Sequence, residues 1–188
     1  MARAGLSATR LTEAGADLAD RIGLGQVTLS ALARQFGVQV ASLYSHVHSS
    51  EDLRTRIAVL ALDELADRAS EALAGRSGKD ALIGFANAYR DYAREHPGRY
   101  AATRLPLDPT TAAASGGRRH SELSRTILRG YQVPDAEQTH AVRLLGSVIA
   151  GYTDLERAGG FSHSDPDSGA SWNRALDAVD HLLTNWPS

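Results

Sequence analysis

The chain has 188 residues, of which 43% are hydrophobic and 22% charged, a composition typical of a globular protein and unlike that of a disordered chain. No apolar run approaches the ~20 residues that span a bilayer, and the N-terminus lacks the apolar core of a secretory signal, so we expect a cytoplasmic protein. Cysteine is absent, which excludes disulfides, thiolate zinc sites and cysteine nucleophiles, and the net charge of −2 gives no general sign of nucleic-acid binding.

Apolar residues recur at helical spacing along nearly the whole chain. The first of these faces consists of Leu11, Ala14, Leu18 and Ile22. Similar faces occur within residues 53–73, 85–92, 144–155 and 172–186. No stretch shows the period-two alternation of a β-strand. The sequence therefore predicts an all-α protein of about nine helices.

Turn-forming and capping residues predict where the N-terminal helices begin and end. Gly23 is placed to terminate the first helix, because glycine readily adopts the backbone conformations found at helix C-termini. Thr28 and Ser49 occupy positions typical of N-caps, whose hydroxyls accept hydrogen bonds from backbone N–H groups. Residues 75–78 contain two glycines and separate a long helix, residues 49–74, from the next one.

Further breaks are predicted in the second half of the chain. Residues 110–117 are small and polar, which predicts the least structured internal stretch. Pro134 is expected to start a helix that reaches about Gly159. Residues 159–169 are expected to form a polar loop before the last helix.

Residues 28–53 have the spacing of a helix-turn-helix. A short amphipathic helix is followed at once by Gly37, which permits a sharp turn, and then by a second short helix. Ala33 is small where the two helices cross, while Val38 and Leu43 are placed to hold the second helix against the first. In such a motif the first helix crosses the DNA backbone and the second enters the major groove.

This segment resembles the DNA-binding domain of the TetR family of transcriptional regulators. The family's usual run has a Thr cap, an Ala in the second helix, Gly-Val at the turn, then Leu-Tyr-x-His-aromatic and Lys-Glu-x-Leu. The corresponding residues are Thr28, Ala33, Gly37, Val38, Leu43, Tyr44, His46, Val47, Ser50, Glu51 and Leu53. The resemblance covers about residues 6–57. Val47 stands where the family often has Phe, and Ser50 stands where it often has Lys.

The resemblance to the TetR family implies how these residues meet DNA. The side chains that would face base edges are Gln39, Val40, Ala41, Ser42 and Ser45. The side chains at phosphate-contacting positions are Thr28, Tyr44, His46 and Ser50. Phosphate contacts fix the protein on the duplex, and base contacts select the sequence. The alternative is a helix-turn-helix kept only as a structural hairpin.

Charge around the motif is low. The first 50 residues contain four arginines and three carboxylates, and Ser50 replaces the family's phosphate-binding lysine. We therefore expect a shallow salt dependence of DNA binding, each lost phosphate contact flattening the slope of log K against log[salt] by roughly 0.9. A flexible N-terminal arm carrying Arg3 and Arg10 would strengthen binding by reaching the minor groove.

The resemblance also implies a division into two domains, a three-helix DNA-binding domain over residues 1–50 and a helical effector-binding and dimerisation domain over residues 51–188. Within the second domain, residues 92–100 and 144–161 are similar to one TetR subgroup. That subgroup often carries Trp-x-x-x-His-Gly in the later helix, and only its final glycine, Gly151, is present here.

The last two helices are predicted to form a homodimer interface. The helix over residues 135–159 is apolar around much of its circumference, and small residues occur at Gly146, Ala150 and Gly151. The last helix carries Trp172 and Trp186, a residue type favoured at interfaces. Two copies related by a two-fold axis would match a palindromic operator. The alternative is that both tryptophans are simply core residues.

A candidate effector pocket combines aromatic residues with a few polar ones, as an enclosed and mostly apolar site requires. Its proposed residues are Phe85, Tyr89, Tyr92, Tyr100, His140, Arg143 and Tyr152. Aromatic residues at helical spacing also serve as ordinary packing, which is the alternative. His96, just before Pro97, is placed to cap the C-terminus of a helix.

The sequence gives no indication of catalysis or metal binding. It contains no G-x-S-x-G or H-E-x-x-H motif, its seven histidines are scattered, and no cofactor is expected. The leading hypothesis is a TetR-type repressor that binds an inverted-repeat operator as a homodimer and is released by a small-molecule effector. The alternatives are a helical protein that binds small molecules without recognising DNA, and an enzyme on a helical scaffold.

Overall fold

The computed structural model describes residues 5–187, and this part of the chain folds into nine α-helices without a β-strand. The helices are α1 (Ala8–Ile22), α2 (Leu29–Phe36), α3 (Ser50–Leu73), α4 (Gly78–Glu95), α5 (Pro97–Ala102), α6 (Pro109–Ala114), α7 (Gly117–Arg129), α8 (Gln138–Arg157) and α9 (Ser168–Thr184). Short 3₁₀ helices precede and follow α2, at Leu24–Gln26 and Val40–Leu43. The prediction of an all-α fold is confirmed. None of the described helices is long and apolar enough to cross a membrane.

The helices form two compact units, each built from two stretches of the chain. The first unit contains the described residues up to Glu64 together with Glu95–Gly117. The second contains Leu65–Arg94 together with the described residues from Arg118 onward. Each unit has its own buried apolar cluster. The predicted boundary at residue 50 separates a DNA-binding domain from an effector-binding and dimerisation domain. It divides the chain by function and not by packing, so it stays a prediction.

The first unit closes around apolar side chains of α1, α2 and the beginning of α3. Leu11 and Leu32 are fully buried, as are Leu53 and Ile57 of α3. Leu43, which follows α2, joins the same cluster and is fully buried too. Burial of each such side chain contributes roughly 1.5–3 kcal/mol. The apolar spacing seen in the sequence is therefore the spacing of this core.

The ends of the first three helices lie close to where the sequence predicts them. Gly23 follows α1 with a φ of 90°, a conformation in which glycine avoids the strain of a side chain. The Thr28 Oγ1 accepts a hydrogen bond from the Ala31 N–H at 3.1 Å and caps α2. The Ser49 Oγ accepts one from the Asp52 N–H at 3.0 Å and caps α3. Such caps contribute about 1 kcal/mol each.

A carboxylate from α1 caps the N-terminus of α5. The Asp20 Oδ1 accepts hydrogen bonds from the backbone N–H groups of Gly98 and Arg99, both at 2.9 Å. The Asp20 Oδ2 accepts another from the Arg99 guanidinium at 2.7 Å, and the His96 Nδ1 lies 3.1 Å from the same oxygen. His96, considered from the sequence as a C-cap, is the residue between α4 and α5. These bonds attach α5 to α1.

We expect Gly98→Ala to lower the free energy of unfolding by about 2 kcal/mol. A Cβ atom at position 98 would lie 2.5 Å from the Asp20 backbone nitrogen and closer still to the Ala19 carbonyl, so the backbone must move. Urea denaturation followed by circular dichroism measures the change. Gly25→Ala is the matched control because a Cβ there meets nothing within 4 Å. Equal stability of the two variants would contradict the expectation.

The second unit has a core of aromatic and aliphatic side chains that includes Trp172. This indole is 1% exposed, and its Nε1–H donates a hydrogen bond to the Asn87 Oδ1 at 2.8 Å. Phe85 and Leu145 belong to the same buried cluster. The interpretation of the tryptophans as core residues is therefore correct for Trp172, whereas Trp186 is half-buried.

Residues 110–117, predicted to be the least structured internal stretch, lie largely within α6, so that prediction is wrong. The Asp108 Oδ1 accepts hydrogen bonds from the backbone N–H groups of Thr110 and Thr111, both at 3.0 Å. Pro109 occupies the first helical position, where its fixed φ favours a helix. A strong cap followed by three alanines is enough to form a short helix from small residues.

The helix predicted to start at Pro134 begins instead at Gln138. A turn precedes it, in which the Glu137 N–H donates to the Pro134 carbonyl at 2.8 Å. The Gln138 side-chain amide also donates to the Asp135 Oδ1 at 2.8 Å. These bonds stabilise the turn, so α8 starts later in the chain than predicted. It ends at Arg157, close to the predicted end at about Gly159.

Candidate nucleic-acid interface

The helix-turn-helix predicted from the sequence is present in the first unit. After α2, Gly37 adopts a left-handed φ of 65°, which glycine tolerates without strain. The chain then reverses, and the Val38 N–H donates to the Ala33 carbonyl at 3.0 Å. Residues 39–46, which we call the recognition segment, follow as the 3₁₀ helix Val40–Leu43 and a turn. The second helix of the motif is therefore short and tightly wound.

The recognition segment has a buried side and an exposed side. Leu43 and the adjacent Val47 are fully buried. The predicted base-facing residues that are exposed are Gln39, Ala41, Ser42 and Ser45. Val40, the fifth of them, is half-buried. The Ser45 hydroxyl donates to the Ser42 carbonyl at 3.1 Å, which stabilises the turn after the 3₁₀ helix. All five predicted base-facing residues thus lie on one short segment.

The predicted phosphate-contacting residues lie at the two ends of the motif. Tyr44 is 55% exposed, and His46 is half-buried at the end of the recognition segment. Thr28 caps α2, where the partial positive charge of a helix N-terminus suits a phosphate group. The Ser50 Oγ accepts a hydrogen bond from the Leu29 N–H at 3.2 Å, so this hydroxyl is engaged within the protein.

Asp52 joins the end of the motif to α3. Its Oδ2 accepts a hydrogen bond from the His48 N–H at 2.8 Å, and its Oδ1 accepts one from the Arg56 Nε at 2.9 Å. Burial alone would raise the pKa of Asp52, but the His48 N–H and the Arg56 guanidinium outweigh it and lower the pKa below its ordinary value. The carboxylate is therefore ionised at neutral pH and holds residue 48 against α3.

A groove of about 840 Å³ runs beside the recognition segment and is lined in part by Arg10, Phe36 and Gln39. The Arg10 guanidinium lies 5.4 Å from the centroid of the Phe36 ring, a cation–π arrangement.

Arg10 belongs to α1, so its assignment to a flexible arm is wrong. The Ser7 Oγ caps this helix by accepting a hydrogen bond from the Arg10 N–H at 3.2 Å. Arg3, the other predicted residue of that arm, lies outside the described residues.

The predicted effector-binding residues are distributed over both units. Four are aromatic residues of the second unit, namely Phe85, Tyr89, Tyr92 and Tyr152. Tyr100 belongs to the first unit, where it is buried and accepts a hydrogen bond from the Arg104 guanidinium at 2.6 Å. His140 and Arg143 are exposed residues of α8.

A buried cation that the sequence analysis did not identify lies beside the aromatic residues of the second unit. Arg90 is 7% exposed, and its guanidinium lies 5.1 Å from the Trp172 ring centroid and 5.9 Å from that of Tyr152. The Arg90 Nε donates to Glu156 at 2.9 Å, and the Arg94 guanidinium donates to the same carboxylate at 3.0 Å. The hydrogen bond from Arg90 lowers the pKa of Glu156 to about 2.

A second contact that the sequence analysis missed joins Tyr89 to His120. The Tyr89 hydroxyl and the His120 Nδ1 form a hydrogen bond, and the two rings meet edge to face with centroids 5.5 Å apart. From the sequence, the position of His120 on its helix does not distinguish it from an ordinary surface histidine. Only the packing of α4 and α7 within the second unit identifies His120 as a neighbour of the predicted aromatic residues.

A comparison with protein families matches the C-terminal part of the chain. A sequence profile described as "Tetracyclin repressor-like, C-terminal domain" matches residues 82–179, more than half of the chain. The chain belongs to the TetR family. The resemblance seen in the helix-turn-helix is thereby confirmed from a different part of the sequence.

Two relatives are similar to this chain over most of its length, and both are described as HTH-type transcriptional regulators. One is Rv0681 of Mycobacterium tuberculosis, an uncharacterised HTH-type transcriptional regulator, with 36% identity over 167 residues that cover 87% of this chain and 76% of that protein. The other is YobS of Bacillus subtilis, described in the same words, with 29% identity over 153 residues that cover 81% and 80% of the two proteins.

The TetR fold is also shared with solved structures. A TetR variant from Acinetobacter baumannii AYE, in complex with minocycline, matches with a TM-score of 0.72 and 18% identity over 98% of this chain and 99% of that one. At this identity the likeness concerns the fold.

Within the described residues no group of three or more His, Asp or Glu side chains could hold a metal ion.

Proposed function

We propose that this TetR-family regulator is a repressor that binds an inverted-repeat operator as a homodimer and leaves it when a small-molecule effector binds. The observation that carries the proposal is the exposed side of the recognition segment, which is supported from below by the buried Leu43 and Val47. Helix-turn-helix proteins use such a surface to read the major groove. A cytoplasmic location is part of this proposal, because a regulator of this kind acts where the chromosome lies.

The residue types on the recognition segment suit base recognition. The Gln39 amide can donate to and accept from adenine, and the Ser42 hydroxyl can bond to any base edge. The half-buried Val40 can contact a thymine methyl group. Tyr44 and His46 flank these residues and can donate to phosphates, which sets the position of the segment in the groove.

The surfaces of α8 and α9 support dimerisation through the last two helices. Leu155 of α8 is 55% exposed and Leu182 of α9 is 40% exposed. Small residues leave room for close approach, since a Cβ built at Gly146 or Gly151 meets nothing within 4 Å. Pairing of these helices with a second copy would bury both features about a two-fold axis. Such a dimer spaces its recognition segments about one turn of DNA apart, ~34–36 Å.

We expect Leu155→Ala to raise the dimer dissociation constant about tenfold. Each substitution occurs twice in a two-fold dimer. A loss of about 0.7 kcal/mol of association free energy per copy therefore gives about 1.4 kcal/mol in total, which is a factor of ten. Analytical ultracentrifugation over a dilution series measures the constant. Ile22→Ala is the matched control, because Ile22 is 49% exposed in the first unit and lies on neither helix. An unchanged dissociation constant for Leu155→Ala would remove this residue from the interface.

The aromatic residues of the second unit support a mostly apolar effector with a few polar groups. Tyr89 and Tyr152 are half-buried and carry hydroxyls, and Phe85 is buried beside Tyr89 with ring centroids 4.7 Å apart. An effector of any chemistry must bind the DNA-free arrangement more tightly than the DNA-bound one. The exposed His140 and Arg143 of α8 stay predicted members of this site. The effector-binding role predicted for Tyr100, which belongs to the first unit, stays a separate prediction.

Selection of random duplex DNA by the purified protein at moderate salt tests the proposed function. Enrichment of an inverted repeat, with half-sites spaced by about one turn of DNA, is the expected result. Candidate effectors are then identified by their release of the selected DNA. A folded protein that enriches no sequence, even after extraction of any co-purified small molecule, would favour the alternative of a ligand-binding protein without DNA recognition.

A further inference from the structure

The first turns of α3 hold both ends of the helix-turn-helix. At its beginning, the Ser50 Oγ accepts a hydrogen bond from the N–H of Leu29, the first residue of α2, at 3.2 Å. At its end, the Asp52 Oδ2 accepts one from the His48 N–H at 2.8 Å. The first bond uses an N–H group that has no partner within its own helix. The motif is therefore attached to α3 by side chains at both ends.

Arg54 adds a second attachment one turn further along α3. One nitrogen of its guanidinium, Nη2, donates to the Val27 carbonyl at 3.2 Å and to the Gly25 carbonyl at 3.4 Å. Residues 50 and 54 are four apart, so they share one face of the helix. The Arg54 Nε–H is buried and has no acceptor in the part of the chain that is described, which costs free energy. The hydrogen bonds to the Val27 and Gly25 carbonyls are therefore the contacts that offset this cost.

The recognition segment is fixed to α2 by a hydrogen bond and by a shared buried core. The Val38 N–H is bonded to the Ala33 carbonyl at 3.0 Å across the turn, and Leu43 is fully buried against the same core as Leu32. A shift of α2 relative to α3 therefore moves the exposed side of the recognition segment as well.

We propose that Ser50 and Arg54 are positioning residues for sequence recognition, which set the place of α2 against α3 and so the fit of the recognition segment to the bases. This inference rests on the proposed function. Base contacts depend on hydrogen bonds of narrow geometry, whereas phosphate contacts hold any sequence and tolerate displacement. Loosening either attachment therefore lowers the preference for the operator more than it lowers binding to random DNA.

The test compares the affinities of each variant for the selected operator and for a random duplex of the same length at one salt concentration. Ser50→Ala is expected to reduce the ratio of the two affinities about tenfold, roughly the discrimination lost with one base contact that the displaced segment no longer makes, while binding to random DNA changes less than twofold. Ser50→Thr retains the hydroxyl and should restore the ratio. Ser70→Ala, an exposed serine on α3, is the matched control.

Arg54→Lys tests the second attachment with little risk to folding. The substitution keeps the charge and removes the buried Nε–H that lacks an acceptor, but the lysine side chain is one bond shorter, so its ammonium group does not reach the position from which Nη2 donates to the two carbonyls. We expect the affinity ratio to fall about fivefold, with the melting temperature and the salt slope unchanged. Arg56→Lys is the matched control, since Arg56 pairs with the Asp52 carboxylate on α3 itself.

The outcomes separate the two levels of inference. If the wild-type protein prefers its operator and neither Ser50→Ala nor Arg54→Lys changes the ratio, the positioning role is wrong and the proposed function stands. An equal loss of operator and random binding would show that these residues act on binding without acting on sequence preference, through phosphate contact or through structure alone, and also overturns the inference. A wild-type protein without preference overturns the proposed function itself. Circular dichroism verifies folding, and if Ser50→Ala does not fold, Arg54→Lys decides.

Discussion

Replacement of both Tyr44 and His46 by alanine is expected to reduce the affinity for the selected operator about 100-fold. Each side chain is proposed to donate a hydrogen bond to a phosphate, and a charge-assisted bond of this kind contributes about 1.4 kcal/mol, or a factor of ten. The fold should survive, because Tyr44 is 55% exposed and His46 is not part of the buried core. Fluorescence anisotropy with labelled operator DNA measures the affinity.

Two further variants make this result specific. Tyr44→Phe retains the ring and loses the hydroxyl, so it should show about a tenfold loss if the hydroxyl binds phosphate. His163→Ala removes an exposed histidine outside the helix-turn-helix and should bind operator like the wild type. Operator binding by the Tyr44→Ala, His46→Ala double variant at wild-type strength would show that these side chains do not face DNA.

Arg90→Met is expected to lower the free energy of unfolding by about 3 kcal/mol. The methionine fills much of the volume, but it leaves the Glu156 carboxylate, whose side chain is 12% exposed, with Arg94 as its remaining cationic partner. The cation–π contact with Trp172 is lost as well. A buried charge left without its partner is costly, which is why breaking such a pair destabilises more than the pair itself stabilises. Urea denaturation measures the difference.

The size of this effect distinguishes a buried ion pair from a surface pair. Arg118→Met is the matched control, because Arg118 pairs with Glu122 at a side-chain exposure of 79% and should contribute less than about 1 kcal/mol. In an Arg90→Met, Glu156→Leu double variant both charges are removed, and stability should recover part of the loss. A loss for Arg90→Met no larger than that for Arg118→Met would show that the guanidinium is not buried in solution.

The same pair makes stability depend on acid pH. The hydrogen bond from Arg90 holds the pKa of Glu156 at about 2, below its ordinary value of 4.5. Because the folded-state pKa is depressed, the stabilisation is complete above about pH 5 and is lost as the pH falls toward the folded-state pKa. The difference between the two pKa values corresponds to about 3 kcal/mol. Between about pH 6 and pH 2, the wild type should therefore lose about 3 kcal/mol more than Glu156→Gln, and parallel pH curves would contradict this.

The helix-turn-helix could be predicted from sequence because its determinants are local. Thr28 must cap a helix, Gly37 must turn with a positive φ, and Leu43 must be apolar at a fixed distance from both. Each requirement involves neighbours within a few residues, so spacing alone carries it. The same reasoning failed for residues 110–117, where composition suggested a loop and a single cap, Asp108, determined a helix.

The contacts of the second unit could not be predicted in this way, because they join distant parts of the chain. Arg90 and Glu156 are 66 residues apart, and each alone looks like a surface charge on an amphipathic helix. Trp172 and Asn87 are 85 residues apart. Their pairing depends on how α4, α8 and α9 pack, which periodicity does not specify. For the same reason the aromatic residues were identified as a group, but Arg90 and His120 beside them were not.

The division of the first unit into two stretches of the gene has a consequence for engineering. The described residues up to Glu64 and residues 95–117 form one compact body, and Gly98 from the second stretch lies directly against the Ala19 backbone from the first. During synthesis, this body is complete only after the ribosome has passed codon 117. A fragment ending at residue 50 or 64 lacks part of its own packing. Transferring this compact body intact to another regulator therefore requires both stretches, exchanged together.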